Sequence, residues 1–146
     1  MTAQPDPVSR PQVRALIDAF YADVREDALL APVFARFLRR DWPDHLALMT
    51  DFWCTALKLE RSFRGDVYGR HVALTGVTRD HLLRWLCLWR KHSLRHLPRA
   101  QAERVQGVAV GMARVLHLGW FGSLPSRQAL CAEVRAAAAE PARVIC

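Results

Sequence analysis

The chain has 146 residues, a length that fits one domain with a sizeable core. Hydrophobic residues make up 51% of it and charged residues 24%, a balance that argues against global disorder. The formal net charge is +7, but the basic residues are spread along the whole chain and form no run of five or more. We therefore expect a basic, solvated surface and no dedicated nucleic-acid site.

The N-terminus and the cysteines bear on the location of the protein. Residues 1–12, MTAQPDPVSRPQ, are polar and contain two prolines before Ser9, unlike a signal peptide. No stretch of 18 apolar residues occurs, so no membrane span is expected. None of the four cysteines belongs to a CxxC pair, and a reduced setting follows most simply. These features predict a cytoplasmic protein.

The first part of the chain predicts three helices. Ser9 can cap a long helix whose apolar residues recur at steps of three and four. An acidic break, REDALLAP, ends it, and a short helix follows Pro32. Asp41 can cap the third helix, which is expected to run to about Glu60. The apolar stripe of the first helix comprises Val13, Leu16, Ile17, Phe20, Tyr21 and Val24.

A glycine-bearing segment separates these helices from the next long one. Residues 61–78 carry three glycines, which predicts a loop with one short helical turn near Tyr68–Leu74. Thr78 can cap the following helix, whose apolar face includes Leu82 and Trp85. The loop therefore connects two helical regions that can pack against each other.

The last part of the chain predicts two more helices. Pro98 opens a helix that is expected to end near Gly119. Ser126 can cap a final, alanine-rich helix over residues 128–139, with residues 140–146 frayed. No segment reads as a strand, so the expected fold class is all-α.

Two of the six histidines lie where a cofactor is conceivable. His71 lies in the glycine-bearing segment, and His45 lies on a strongly aromatic helix face. Taken alone, each is more often a satisfied interior or surface histidine than a ligand. Together with the aromatic content, they suggest a flat apolar cofactor between helices, with one imidazole on its metal and the other facing the open position. The face of His45 also carries Trp42, Met49, Phe52 and Trp53.

A second pair of histidines suggests a minor alternative. His92 and His96 are four residues apart, a spacing seen in zinc-binding helices. However, no cysteine or carboxylate partner is close in sequence, and cations are favoured at a helix C-terminus in any case. A zinc site at this pair is therefore not favoured.

Four segments occur along the chain in this order: FYADVREDALLAPVF, WPDHLALMTDFW, FRGDVYGRH and HLLRWLCLW. In their order and spacing they resemble the truncated haemoglobins, and their third group most closely. This resemblance covers roughly residues 13–118. It implies an all-α truncated globin fold, in which a two-over-two helical sandwich surrounds haem b. The paired-glycine motifs of the first two groups are missing, as is expected of the third.

The resemblance also implies roles for single residues. His71 corresponds to the proximal histidine and is the expected iron ligand. Tyr21, in the pair Phe20-Tyr21, corresponds to a distal tyrosine. His45 lies on the distal helix, and Trp85 on the next long helix is expected to reach the distal pocket. The remaining residues expected to contact the haem are apolar: Phe37, Met49, Phe52 and Trp53.

The tail exceeds the compact pattern of the family. Residues 1–122 are expected to form the truncated globin domain with a short N-terminal lead. Residues 123–146 are expected to form a helical extension that is dispensable for haem binding, because an alanine-rich helix buries little apolar surface.

The implied function is binding of O2, NO and CO at ferrous iron. Two donors in a dry pocket, Tyr21 and Trp85, should hold O2 tightly, which favours redox chemistry over transport. The candidates are NO dioxygenation and a peroxidase-like reaction, served by a separate electron donor. A monomer or weak homo-oligomer is expected. The alternatives are a non-catalytic haem-based ligand binder or sensor, a basic helical nucleic-acid-binding domain, and a cofactor-free interaction module.

Overall fold

The computed structural model describes residues 6–139, so the expected fraying of residues 140–146 lies outside it. Residues 6–139 form seven α-helices and no strand, which confirms the all-α prediction for this part of the chain. The helices are α1 (Arg10–Val24), α2 (Ala31–Phe37), α3 (Trp42–Ala56), α4 (Val67–Val72), α5 (Arg79–His96), α6 (Arg99–Phe121) and α7 (Arg127–Ala139).

The predicted N-caps are all in place. Ser9, Asp41 and Thr78 each accept a hydrogen bond from the backbone N–H three residues further on. The hydroxyl of Ser126 accepts one from the N–H of Ala129 at 3.0 Å. Each bond pairs a backbone donor that the first helical turn leaves without an internal partner.

Helix α3 ends at Ala56, four residues earlier than expected. The N–H of Leu59 bonds to the carbonyl of Cys54 and the N–H of Lys58 to that of Thr55, at 2.9 and 3.0 Å. These two bonds form a Schellman C-cap, whose left-handed position is usually glycine. Here Lys58 takes that position, with φ at 61°.

Helix α6 runs to Phe121, beyond the expected end at Gly119. The left-handed residue that closes it is Gly122, with φ at 77°. Gly119 lies inside the helix instead, where a Cβ would collide with Val72 of α4. Glycine at this position therefore allows α4 to lie close against α6.

The helices form two packed pairs. Helix α1 packs against α3, and α5 packs against α6, while a contact between α1 and α5 joins the pairs. Aromatic rings fill this junction: Trp53 stacks on Trp89 at 4.3 Å between centroids, and Phe20 meets Trp89 edge-on at 5.1 Å. Helix α4 packs on α6, but α3 and α4 are not packed against each other, although they are consecutive.

Helix α7 packs against both α5 and α6. Three of its side chains are buried, namely Leu130, Val134 and Ala137. The alanine-rich extension therefore covers part of the outer face of the α5–α6 pair.

Two observations bear on the expected location. Within residues 6–139, no helix combines the length and the apolar character needed to cross a membrane. Cys54, which is buried, and the half-buried Cys131 carry free thiols.

Asp27 ties the turn after α1 to α5. Its carboxylate accepts hydrogen bonds from the N–H groups of Leu29 and Leu30 at 3.1 and 3.0 Å, and from Arg84 Nε at 2.6 Å. The side chain of Asp27 is only 4% exposed. Removing the carboxylate would leave a mostly buried guanidinium and two backbone donors without their partner.

We expect Asp27→Ala to lower the free energy of unfolding by about 3 kcal/mol, because one half of a buried ion pair is removed. Urea unfolding monitored by circular dichroism measures the loss. The control is Asp18→Ala, which breaks an exposed pair with Arg14 and should cost less than about 1 kcal/mol. Equal losses in the two variants would show that Asp27 does not hold this turn to α5.

Candidate functional site

His45 lies in the first half of α3, inside a cage of aromatic rings. The ring of Tyr21 lies edge-on at 5.1 Å between centroids, and those of Trp42 and Phe34 lie at 5.6 and 6.1 Å. The Nε2 atom of His45 is buried and has no hydrogen-bond partner among residues 6–139. A buried polar atom without a partner costs free energy, and a further molecule placed beside this nitrogen would satisfy it.

Electrostatics keep His45 neutral. Burial, the largest cause, acts together with the charges of Arg40 and His71 to lower its pKa from 6.5 to about 4. The imidazole is therefore uncharged at neutral pH, with one nitrogen as donor and the other as acceptor.

His71 lies on α4 with its ring orientation fixed. Its Nδ1 donates to the carbonyl of Val67, one turn earlier, at 2.7 Å. The carbonyl of His71 accepts a hydrogen bond from Trp120 Nε1 of α6 at 2.8 Å. A bond at Nδ1 leaves the lone pair of Nε2 available, which is the tautomer that a metal-ligating histidine needs.

Tyr21 is almost fully buried near the end of α1. Its ring contacts those of Phe34, Trp42 and His45 at 5.1 to 5.8 Å. Burial raises the pKa of its hydroxyl, so the hydroxyl stays protonated and can donate a hydrogen bond. The structure thus brings two of the predicted ligand-contacting residues, Tyr21 and His45, into direct contact.

Trp85 lies further from His45 than Tyr21 does, with the ring of Phe20 beside it. Its ring meets Phe20 edge-on at 5.9 Å and stacks on Trp89 at 6.0 Å. It is half-buried, so part of its indole remains accessible. Phe20 therefore separates Trp85 from the direct contact between Tyr21 and His45.

The apolar residues expected to contact the haem fall into two groups. Met49, Phe52 and Phe37 are half-buried and keep free surface. Trp53 is only 3% exposed and stacks on Trp89, so its contacts in the structure are those of a core residue. A haem contact through Trp53 stays a prediction.

His92 takes part in an ion pair between helices. Its Nε2 lies 2.8 Å from Asp23 Oδ2, and Lys91 Nζ lies 3.0 Å from the same oxygen. Among residues 6–139 no group of three or more histidine, cysteine, aspartate or glutamate side chains could hold a metal ion. The structure therefore places His92 at the contact between α1 and α5.

The chain's own residues fit a planar metal cofactor between α3 and α4. These helices are not packed together, and each carries one histidine with an available nitrogen, His45 and His71. Half-buried apolar side chains on α2 and α3 supply the surface that such a cofactor covers. Two packed pairs of helices, with one histidine on α3 and one on α4, fit the truncated globin fold expected from the sequence.

Comparison with known proteins makes this class more specific. The crystal structure of the group III truncated haemoglobin from Campylobacter jejuni is similar to this chain with a TM-score of 0.73, at 20% sequence identity. The similarity covers 83% of this chain and 98% of that one. The truncated globin fold predicted from the sequence is therefore confirmed.

Sequence comparison points in the same direction. The group 3 truncated haemoglobin of Campylobacter jejuni subsp. jejuni is 26% identical over 85 residues, which span 56% of this chain and 67% of that protein. No family model matches the chain. The predicted resemblance to the third group of truncated haemoglobins is confirmed.

Sequence reasoning missed two residues that orient His71. Trp120 was not expected at the site, and the carbonyl that fixes the ring belongs to Val67. Every helical histidine has a backbone carbonyl four residues earlier on the same helix face, so the sequence does not single out this bond. No pattern within the sequence indicates the bond between Trp120 and α4.

Proposed function

We propose that this chain binds haem b through His71 and uses it to bind O2, NO and CO. The observation that carries the proposal is the orientation of His71, whose Nδ1 is held by the carbonyl of Val67 while its Nε2 remains available. Ferrous haem, when bound, supplies the coordination position for a diatomic ligand. The likeness to the third group of truncated haemoglobins supports the same assignment.

The distal residues favour tight retention of O2. The protonated hydroxyl of Tyr21 and the neutral imidazole of His45 lie side by side in an aromatic enclosure. Trp85 adds an indole N–H nearby. Donors in a poorly hydrated space stabilise a ligand that carries partial negative charge. Such retention suits redox chemistry with O2, of the NO dioxygenase or peroxidase-like type, and needs an electron donor.

Rapid mixing with NO tests this function. The haem-loaded, reduced protein in O2-saturated buffer should convert NO and O2 into nitrate, with one electron from the ferrous state. We expect one nitrate per haem in a single turnover, and repeated turnover once a chemical reductant is added. A protein that binds O2 but yields no nitrate and shows no peroxidase activity would instead be a non-catalytic ligand binder or sensor.

The remaining assignments extend the same proposal. We assign residues 1–122 to the truncated globin domain and residues 123–146 to the extension. We expect a monomer or weak homo-oligomer, located in the cytoplasm. Neither nucleic acid nor membrane is an expected partner.

The lowered pKa of His45 has a consequence for stability. Between pH 6.5 and about 4, the unfolded chain binds a proton at this imidazole that the folded chain does not bind. The contribution of the neutral His45 to the free energy of unfolding is therefore complete above pH 6.5, and it falls as the pH drops from 6.5 to about 4. We expect His45→Gln to lose less stability between pH 7 and pH 5 than the wild type does.

Urea unfolding of the haem-loaded protein at these two pH values measures this difference. The comparison is with the wild type, from which the variant differs only in this imidazole. An unchanged pH dependence in His45→Gln would mean that His45 is as easily protonated in the folded protein as in the unfolded chain.

A further inference from the structure

A groove separate from the histidines lies where α5, α6 and α7 meet. Its volume is about 560 Å³, within the range of small-molecule sites. Buried apolar side chains form its floor, and Leu94, at 46% exposure, extends along its side. The floor residues include Leu86, Trp89, Val110 and Val134.

The rim of the groove is basic. Arg90 of α5 and Arg135 of α7 both line it, and neither forms an ion pair within residues 6–139. The other charged rim residues, Arg99 and Glu103, pair with each other at 3.1 Å. The groove therefore combines an apolar floor with two guanidinium groups that have no anionic partner in this part of the chain.

We propose that this groove binds an amphiphilic monoanion, an alkyl carboxylate of medium length. Its carboxylate pairs with Arg90 and Arg135, and its alkyl chain lies on the apolar floor beside Leu94. Arginine suits this headgroup because its planar fork donates two parallel hydrogen bonds to a carboxylate. Toward the end of α5 the lining continues from Arg90 past Leu94 to Leu97, about 10 Å at 1.5 Å per residue, and the alkyl chain lies along this apolar surface.

The groove borders the aromatic core through one side chain. Trp89 forms part of the floor and also stacks on Trp53 and Trp85. Occupancy should therefore change tryptophan fluorescence. The proposal does not depend on the haem assignment, because no lining residue of the groove belongs to α3 or α4.

Titration of the haem-loaded protein with decanoate, followed by calorimetry and tryptophan fluorescence, tests the site. The double variant Arg90→Gln/Arg135→Gln should bind about tenfold more weakly or worse, as expected for loss of charge-assisted hydrogen bonds. Arg95→Gln removes the same charge from the same helix outside the groove and should leave the affinity unchanged. Decanol, which lacks the carboxylate, should bind as weakly as decanoate binds to the double variant.

A space-filling variant keeps the test independent of charge. Gly107 lines the groove, and a Cβ added there meets no atom within 4 Å. Gly107→Leu should fill the groove while favouring the helix, since leucine has the higher helix propensity. We expect loss of decanoate binding with unchanged helicity and an unchanged Soret band. Wild-type affinity in Gly107→Leu or in the double variant, or decanoate binding that shifts the Soret band, would overturn the proposal.

Discussion

Replacing His71 by alanine is expected to abolish normal haem retention. The ring of His71 is held on α4 by the bond from Nδ1 to the carbonyl of Val67, which leaves Nε2 available as a ligand. The fixed tautomer gives the iron a ligand of defined orientation, and removing the imidazole leaves no replacement on α4. The haem content after purification without imidazole measures the effect.

A matched variant separates this effect from a general loss of stability. His96→Ala removes an exposed imidazole from α5 and should retain the wild-type haem content and ferrous-CO spectrum. Added imidazole should restore a six-coordinate spectrum to haem-reconstituted His71→Ala. If His71→Ala kept the wild-type ferrous-CO spectrum without added imidazole, His71 would not be the iron ligand.

Removing a distal donor is expected to speed O2 release. A hydrogen bond to a charged group contributes about 1–3 kcal/mol, which corresponds to roughly five- to hundredfold faster dissociation. We expect this range for Tyr21→Phe and for Trp85→Phe, with the larger effect in Tyr21→Phe, because Tyr21 contacts His45 directly whereas Phe20 lies beside Trp85. CO is less polar, so its release should change less.

Stopped-flow dissociation of O2 and CO from the haem-loaded protein measures these rates. The matched control is Tyr68→Phe, which removes the hydroxyl of the only other tyrosine in the chain, an exposed residue of α4. Its O2 release should equal that of the wild type. Equal O2 rates in all variants would mean that neither Tyr21 nor Trp85 holds the ligand, and His45 would then be the leading donor.

The helices were predictable because their signals are local. A capping side chain and the N–H it binds lie three residues apart, so Ser9, Asp41 and Thr78 could be recognised from the sequence. The end of α3 was missed because its left-handed cap is Lys58, and a lysine gives no sign that it will adopt a positive φ. The end of α6 was misplaced because two glycines, Gly119 and Gly122, offer the same local signal.

The candidate site was predictable only in part, because it depends on contacts between distant segments. The aromatic face of α3 showed that His45 shares a side with Trp42 and Met49, but periodicity on one helix cannot show that Tyr21 of α1 touches that face. The bond from Trp120 to His71 joins residues 49 apart in sequence, so no local pattern encodes it. Packing of the helix pairs, not periodicity, decides these distances.

Absorption spectra of the purified, haem-reconstituted protein test the central proposal most directly. They are recorded in the ferric, ferrous and ferrous-CO forms, for the wild type and for His71→Ala. We expect a wild-type Soret band that shifts on reduction and again on addition of CO. The wild-type spectra should be those of haem with a histidine ligand, and the spectra of His71→Ala should not. A wild-type chain that shows no Soret band after reconstitution, or one that does not respond to CO, would contradict the proposal that this protein binds diatomic ligands at haem.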